Sequence, residues 1–188
     1  MRKLVILLLL IPCALAAVDT GMRLSIRPWI ELEPLVRIQL EEYPIPLATA
    51  EKRLLEEGRA LISGMIYGWT FTYYPGDKAR RVQEGFTLTP VAQVPWGSRR
   101  LRVTETEVKD ARLWARILYS LDDEEAARRS AWDSNTADLS TGRGTAALQL
   151  GPAGRTAALE AAIKDAIRLS LDNRYPNKPR EVKGDVAL

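Results

Sequence analysis

Apolar and polar residues alternate with two different periods along this chain, and the changes of period divide it into elements. Met22, Leu24 and Ile26, and then Val36, Ile38 and Leu40, alternate with polar neighbours around Pro28 and Pro34. That pattern predicts a broken or edge strand, because proline cannot donate to a ladder. Pro44 and Pro46 close this region. From Leu47, the residues Ala50, Leu54, Leu61, Ile62 and Met65 recur at helical spacing, with Glu51, Lys52, Glu56, Glu57 and Arg59 between them. They predict an amphipathic helix over 47–63, ending near Gly64.

Residues 65–74 change to a β-type composition, and Pro75-Gly76-Asp77 has turn chemistry. Strands are expected at 85–94 and 99–107 around a turn at Pro95-Trp96-Gly97. The strongest two-residue alternation follows over 111–121. Ala111, Leu113, Ala115, Ile117, Tyr119 and Leu121 fall on one face, with Arg112, Trp114, Arg116, Leu118 and Ser120 on the other. Asp122-Asp123-Glu124-Glu125 suits the positive end of a helix dipole and predicts a short helix over 123–132. A polar loop over 133–144 and a brief strand over 145–150 lead to Gly151-Pro152. A helix over 155–171 then carries Leu159, Ile163, Ala166 and Ile167 on one stripe, with Glu160 and Lys164 as an i,i+4 pair on its outside. Pro176 and Pro179 stop that helix, leaving 181–188 as a final strand. The fold expected is a single α+β domain, mainly an antiparallel sheet covered on one face by the two amphipathic helices.

The front of the chain belongs to a different kind of segment. Arg2 and Lys3, the apolar run Leu4–Ile11 and the small residues of Ala14-Leu15-Ala16 together predict a signal peptide over 1–16. Cleavage after Ala16, or after Ala17 in second place, leaves 17–188 as one globular domain, exported to a bacterial periplasm or secreted. Leu10-Ile11-Pro12-Cys13 resembles a lipoprotein signal, but Pro12 stands where Gly, Ala or Ser normally precedes the cysteine. A lipid tether at Cys13 is therefore the alternative to a discarded cysteine.

Charge and composition then remove function classes. Without residues 1–16 the 27 basic side chains become 25 against 24 acidic ones, so the net charge falls from +3 to +1. Such a chain lacks the positive field of a nucleic-acid binder, and no nucleic-acid partner is expected. With no histidine and only Cys13, His- or Cys-dependent nucleophilic chemistry and transition-metal sites lack their side chains. No cofactor, metal or catalytic set is expected, and no disulfide can form within the chain.

Candidate surfaces remain. If 99–107 and 111–121 pair antiparallel, Arg100, Arg102, Arg112 and Arg116 share one sheet face with Trp114. Guanidinium groups bind anions bidentately and stack on aromatic rings, so this face suits an envelope protein or an anionic envelope component. The plainer reading is a solvated wall whose arginines cover Trp114 and pair with glutamates. Tyr67, Trp69, Phe71 and Tyr73 alternate as an aromatic platform or, in the preferred reading, as core. Glu105 and Glu107 lie on one strand face, a spacing compatible with a two-carboxylate hydrolase of an envelope or extracellular polymer. The glycines of Gly142-Arg-Gly144 and Gly151-Pro-Ala-Gly154 match no phosphate-loop pattern, and Asp133, Asn135 and Asp138 lack calcium-loop spacing. The function expected is a non-catalytic periplasmic or envelope-associated binding or scaffold protein acting through the Arg/Trp face or an exposed strand edge, with the hydrolase as alternative.

Overall fold

The computed structural model describes residues 21–37, 41–77, 80–134, 137–175, 177 and 179–188. The segment expected to be a signal peptide, with Cys13, and also Ile38, Leu40, Asn135 and Pro176, lie outside them. The chain enters as a strand interrupted at Pro28. Strands β1 (Arg23–Ile26) and β2 (Trp29–Glu31) lie end to end along one side of β6 (Arg112–Ser120), with Leu24 opposite Tyr119 and Trp29 opposite Trp114. On the other side of β6 runs β5 (Leu101–Lys109), completing sheet A. The broken edge strand is what Pro28 dictates, but its second half is Trp29–Glu31, while Val36 sits in an irregular segment.

Helix α1 (Leu47–Ile66) lies on the inner face of sheet A, where Leu54, Ile62 and Ile66 pack among Leu24, Ile30, Leu113, Ala115, Ile117 and Tyr119. Every second residue of β6 from Leu113 to Tyr119 is buried, as the alternation requires. Burying one such large aliphatic side chain stabilises the fold by roughly 1.5–3 kcal/mol. Ala111 departs from the expected face. It forms a two-residue hairpin turn with Asp110, with φ of 55° and 52° respectively, so the strand begins only at Arg112.

The strand after α1, β3 (Trp69–Tyr74), starts a second sheet instead of joining the first. It pairs antiparallel with β4 (Gly85–Pro90) on one side and β7 (Val182–Val186) on the other. Trp69 turns straight back onto the helix: a Cβ on Gly64 would stand 2.0 Å from its ring, so only glycine permits the approach. The expected 85–94/99–107 hairpin is therefore absent. The intervening chain crosses between sheets over α1, with Val94 fully buried and its N–H donated to Ser63 Oγ at 3.0 Å. Helix α3 (Pro152–Arg174) covers sheet B through Leu159, Ile163, Ile167 and Leu171, packed against Tyr73, Phe71 and Phe86. The result is one α+β domain, 35% helix and 28% strand, with two sheets that each take one long helix.

Three local details differ from the sequence expectation. Proline at the first position lets α3 start at 152, because its missing N–H has no helical partner there. Residues 145–150 form no strand and instead end in a 3₁₀ turn at Leu148–Leu150. A Cβ on Gly142 would lie 2.2 Å from the Ala162 carbonyl, and one on Gly144 1.9 Å from that of Ala158, so these glycines let the chain lie directly against α3. Lys164 pairs with Glu84 at 2.6 Å, across to sheet B, rather than with Glu160.

Helix α2 (Asp123–Trp132) follows β6 and docks at the end of α1, where the Trp132 indole donates to the Ile66 carbonyl at 3.0 Å.

Candidate functional site

The outer face of sheet A, which α1 leaves open, is assembled from three strands. β6 supplies Arg112, Trp114 and Arg116, β2 supplies Trp29 and Glu31 through its register, and β5 places Lys109, Glu107 and Glu105 opposite Arg112, Trp114 and Arg116. A bulge between Val103 and Glu105 inserts Thr104 and shifts the alternation by one, which brings Arg102, opposite Leu118, onto the same face as Glu105 and Glu107. Arg102, Arg112, Trp114 and Arg116 are thus together.

Arg100 is not with them. Its guanidinium turns to Glu125 at 2.5 Å and Asp122 at 2.9 Å and lies 5.1 Å from the Tyr119 ring centroid.

On the outer face, charge and aromatic rings interleave. Arg116 meets Glu105 at 3.2 Å, Arg27 meets Glu107 at 3.1 Å and Arg112 meets Glu31 at 3.5 Å. The Trp29 and Trp114 ring centroids are 5.9 Å apart and tilted by 42°. Arg27 stands 5.7 Å from the Trp114 ring, and Arg112 and Arg155 each stand 4.4 Å from that of Trp29. Such guanidinium–ring contacts are worth roughly 0.5–1 kcal/mol at exposed sites. Arg155 also donates to the Trp29 carbonyl at 2.6 Å and pairs with Glu57 at 2.9 Å. Burial pushes the Glu57 carboxyl up from its ordinary range against the pull of Arg155. Arg27, Trp29 and Glu31 were not anticipated, although the Trp29-x-Glu31 alternation after Pro28 carries their signal.

A second polar assembly lies at the opposite end of β6. Glu125, 4% exposed, accepts from the phenols of Tyr67 at 2.5 Å and Tyr119 at 2.9 Å, from both terminal nitrogens of Arg100, and from the Asp122 amide at 3.1 Å. The Asp122 side chain returns a bond from the Glu125 amide, closing a capping box on α2. Burial opposes the Glu125 charge, but Tyr67, the Asp122 amide, Arg100 and Tyr119 outweigh it and hold the carboxyl below its ordinary range. Burial and the adjoining carboxylate push the Tyr67 phenol up to about 12. The signal for this hub was the Asp122-x-x-Glu125 spacing at the start of a helix.

The aromatic row is divided. Tyr67 belongs to this hub, while Trp69, Phe71 and Tyr73 pack in the core of sheet B, with Tyr73 only 3% exposed. The Tyr73 phenol faces a cleft of about 170 Å³ lined also by Glu84, Arg168, Leu171, Asp172 and Tyr175. There it donates to Glu84 at 2.8 Å. Lys164 and Tyr73 hold the Glu84 carboxyl low, while burial and Glu84 push the phenol high. Neither group is poised to exchange a proton near neutral pH, which general acid–base work needs. Glu105 and Glu107 are each occupied by an arginine. Asp133 pairs with Arg129 and Asp138 with Arg174. Among the described residues, no three His, Cys, Asp or Glu side chains gather as a metal-binding group, and no helix is long and apolar enough to cross a membrane.

Residues 13–188 match an uncharacterised protein family. The chain belongs to that family. A protein of Treponema pallidum (strain Nichols), described as uncharacterized, is 31% identical over 161 residues, covering 86% of this chain and 68% of the relative. No solved structure matches the chain. Neither the family match nor this relative indicates a function.

Proposed function

We propose that this family member is a non-catalytic binding or scaffold protein of the bacterial envelope, exported by its N-terminal signal and engaging an envelope protein or an anionic envelope component. The observation that carries this reading is the outer face of sheet A, where Trp29, Trp114, Arg102, Arg112 and Arg116 share a surface that α1 leaves open. Tryptophan and arginine dominate the binding energy of protein interfaces, since each combines a large area with directional polar contacts. The pairing of Glu84 with Lys164 and of Glu105 and Glu107 with arginines further favours binding over carboxylate chemistry.

The test is charge reversal at Arg112→Glu together with Arg116→Glu, followed by capture of partners from envelope extract. Both side chains reach solvent, so the protein should stay folded, at a cost of about 1–2 kcal/mol from the Trp29 contact and the two carboxylate pairings that are lost. Capture should be lost. Capture that survives with an unchanged partner set removes the outer face from the binding role.

A further inference from the structure

Resting on that binding role, we propose that the β5 edge of sheet A accepts an extended acidic segment of a partner protein as an added strand. The two edges of the sheet are built differently. The β1–β2 edge is short, is interrupted at Pro28, and has the Trp29 carbonyl capped by Arg155. β5 runs unbroken by proline from Leu101 to Lys109, and every residue from Arg102 onward is exposed. Exposed edges of this length carry unpaired backbone donors and acceptors, which is the chemistry that strand addition uses.

The phase of the ladder identifies those groups. Ser120 donates its N–H to the Arg100 carbonyl, and Lys109 and Arg112 close the two-residue turn, so hydrogen-bonded pairs fall at 100, 102, 107 and 109 of this strand. Val103, Thr106 and Val108 therefore turn their N–H and C=O away from β6. Their side chains lie on the inner side of the sheet but beyond the cover of α1, leaving Val103 40% and Val108 58% exposed. A strand laid alongside would set its own inner side chains beside these valines.

Charge selects the occupant. Glu105 and Glu107 are neutralised by Arg116 and Arg27, whereas Arg102 and Lys109 meet no carboxylate among the described residues. An entering strand thus finds a cation near each end of β5, roughly 20 Å apart, and the complement is an acidic side chain near each end with β-branched residues between. A second copy of this chain fits poorly. A register spanning both ends sets Arg102 against Lys109, and the registers that bring Glu105 or Glu107 opposite Lys109 leave Arg102 without a carboxylate, so no antiparallel self-pairing satisfies both cations.

The experiment uses a dye-labelled nine-residue peptide alternating valine and threonine with a glutamate near each end, and its lysine counterpart, each titrated into the protein and followed by fluorescence anisotropy. The glutamate peptide should bind about tenfold or more tightly than the lysine peptide, and Arg102→Glu with Lys109→Glu should reverse the order. Thr106→Pro removes an outward N–H that β6 does not use, so binding should vanish while the melting temperature stays close to that of the wild type. Should the proline variant not fold, the charge variant, which leaves the backbone alone, still decides.

Failure of both peptides to bind, glutamate binding that survives Thr106→Pro in a folded protein, or a preference unmoved by the charge variant overturns the proposal. Self-association of the wild type that Thr106→Pro abolishes also overturns it, by giving the edge to a second copy. Envelope capture lost on reversal of Arg112 and Arg116 but retained in Thr106→Pro leaves the outer face standing and the edge without a role.

Discussion

Sheet A holds two arginine–glutamate assemblies made from nearly the same parts. At one end Arg100 lies over Tyr119 and binds Glu125; along the outer face Arg27 lies over Trp114 and binds Glu107, with Arg116 and Glu105 one step further along the strands. Their surroundings differ. Glu125 is 4% exposed and accepts from two phenols, a guanidinium and an amide, whereas Glu105 is 63% exposed and has one partner. A buried carboxylate that loses its donors, or a buried phenol such as Tyr119 that loses its acceptor, cannot be rescued by water, while an exposed pair exchanges its partner for solvent at little cost. The hub therefore holds the fold together, and the outer pairs are free to be exchanged for a partner's groups.

The comparison can be broken most directly at its buried member. Glu125→Ala strips Arg100, Tyr67 and Tyr119 of their shared acceptor and removes half of the α2 capping box, and should cost about 3 kcal/mol or more in urea denaturation. A loss under about 1 kcal/mol would put the hub on a par with the outer pairs.

The pH dependence of stability sharpens the same point. Glu125 titrates below its ordinary value of 4.5, so its contribution is fully present above that value and fades as pH falls through the lower folded one. Tyr67 moves from 10 up to about 12, so its contribution is complete below pH 10 and is lost as pH rises towards 12. Melting temperatures recorded across pH should fall at both limits, and Glu125→Gln should flatten the acid limb. An acid limb unchanged in that variant would assign it to other carboxylates.

Smaller effects are expected at the β5–β6 hairpin. Ala111 holds φ at 55°, where a Cβ is unfavourable, so Ala111→Gly should stabilise by about 0.5–1 kcal/mol in the same denaturation assay. A destabilised variant would mean that the methyl group makes a contact outweighing its strain. Smallest of all, Glu105→Gln should change stability by about 0.5 kcal/mol or less, with a larger loss showing that the outer pairs also support the fold.

The sequence made the faces of β6 legible because a two-residue period has only one way to bury Leu113, Ala115, Ile117 and Tyr119 together. The helical stripes of α1 and α3 were legible for the same kind of reason. Alternation does not encode which strand lies beside which, so the division into two sheets and the loss of the 85–94/99–107 hairpin were hidden; the close approach at Gly64 and Trp69 that helps divide them is a tertiary event. The outer-face grouping was legible for Arg102, Arg112, Trp114 and Arg116, but Arg100 was misplaced because a buried acceptor at Glu125 competes for it. Glu125 itself resembled one more solvated acid in a run of four.

The pairing of β3 with β7 has a consequence for the order in which the molecule can be completed. All four strands of sheet A, together with α1, lie within residues 23–120, so that half has its full set of parts before the last third of the polypeptide is made. The central strand of sheet B is synthesised early, yet Trp69 and Tyr73 must wait for Val186 and Val182 before their second ladder can close. Closing a loop of that length is slow compared with local hairpin formation. During that interval β3 keeps an unsatisfied edge and three aromatic rings without their α3 cover, so the window for misassembly, and for any chaperone that prevents it, falls on this strand.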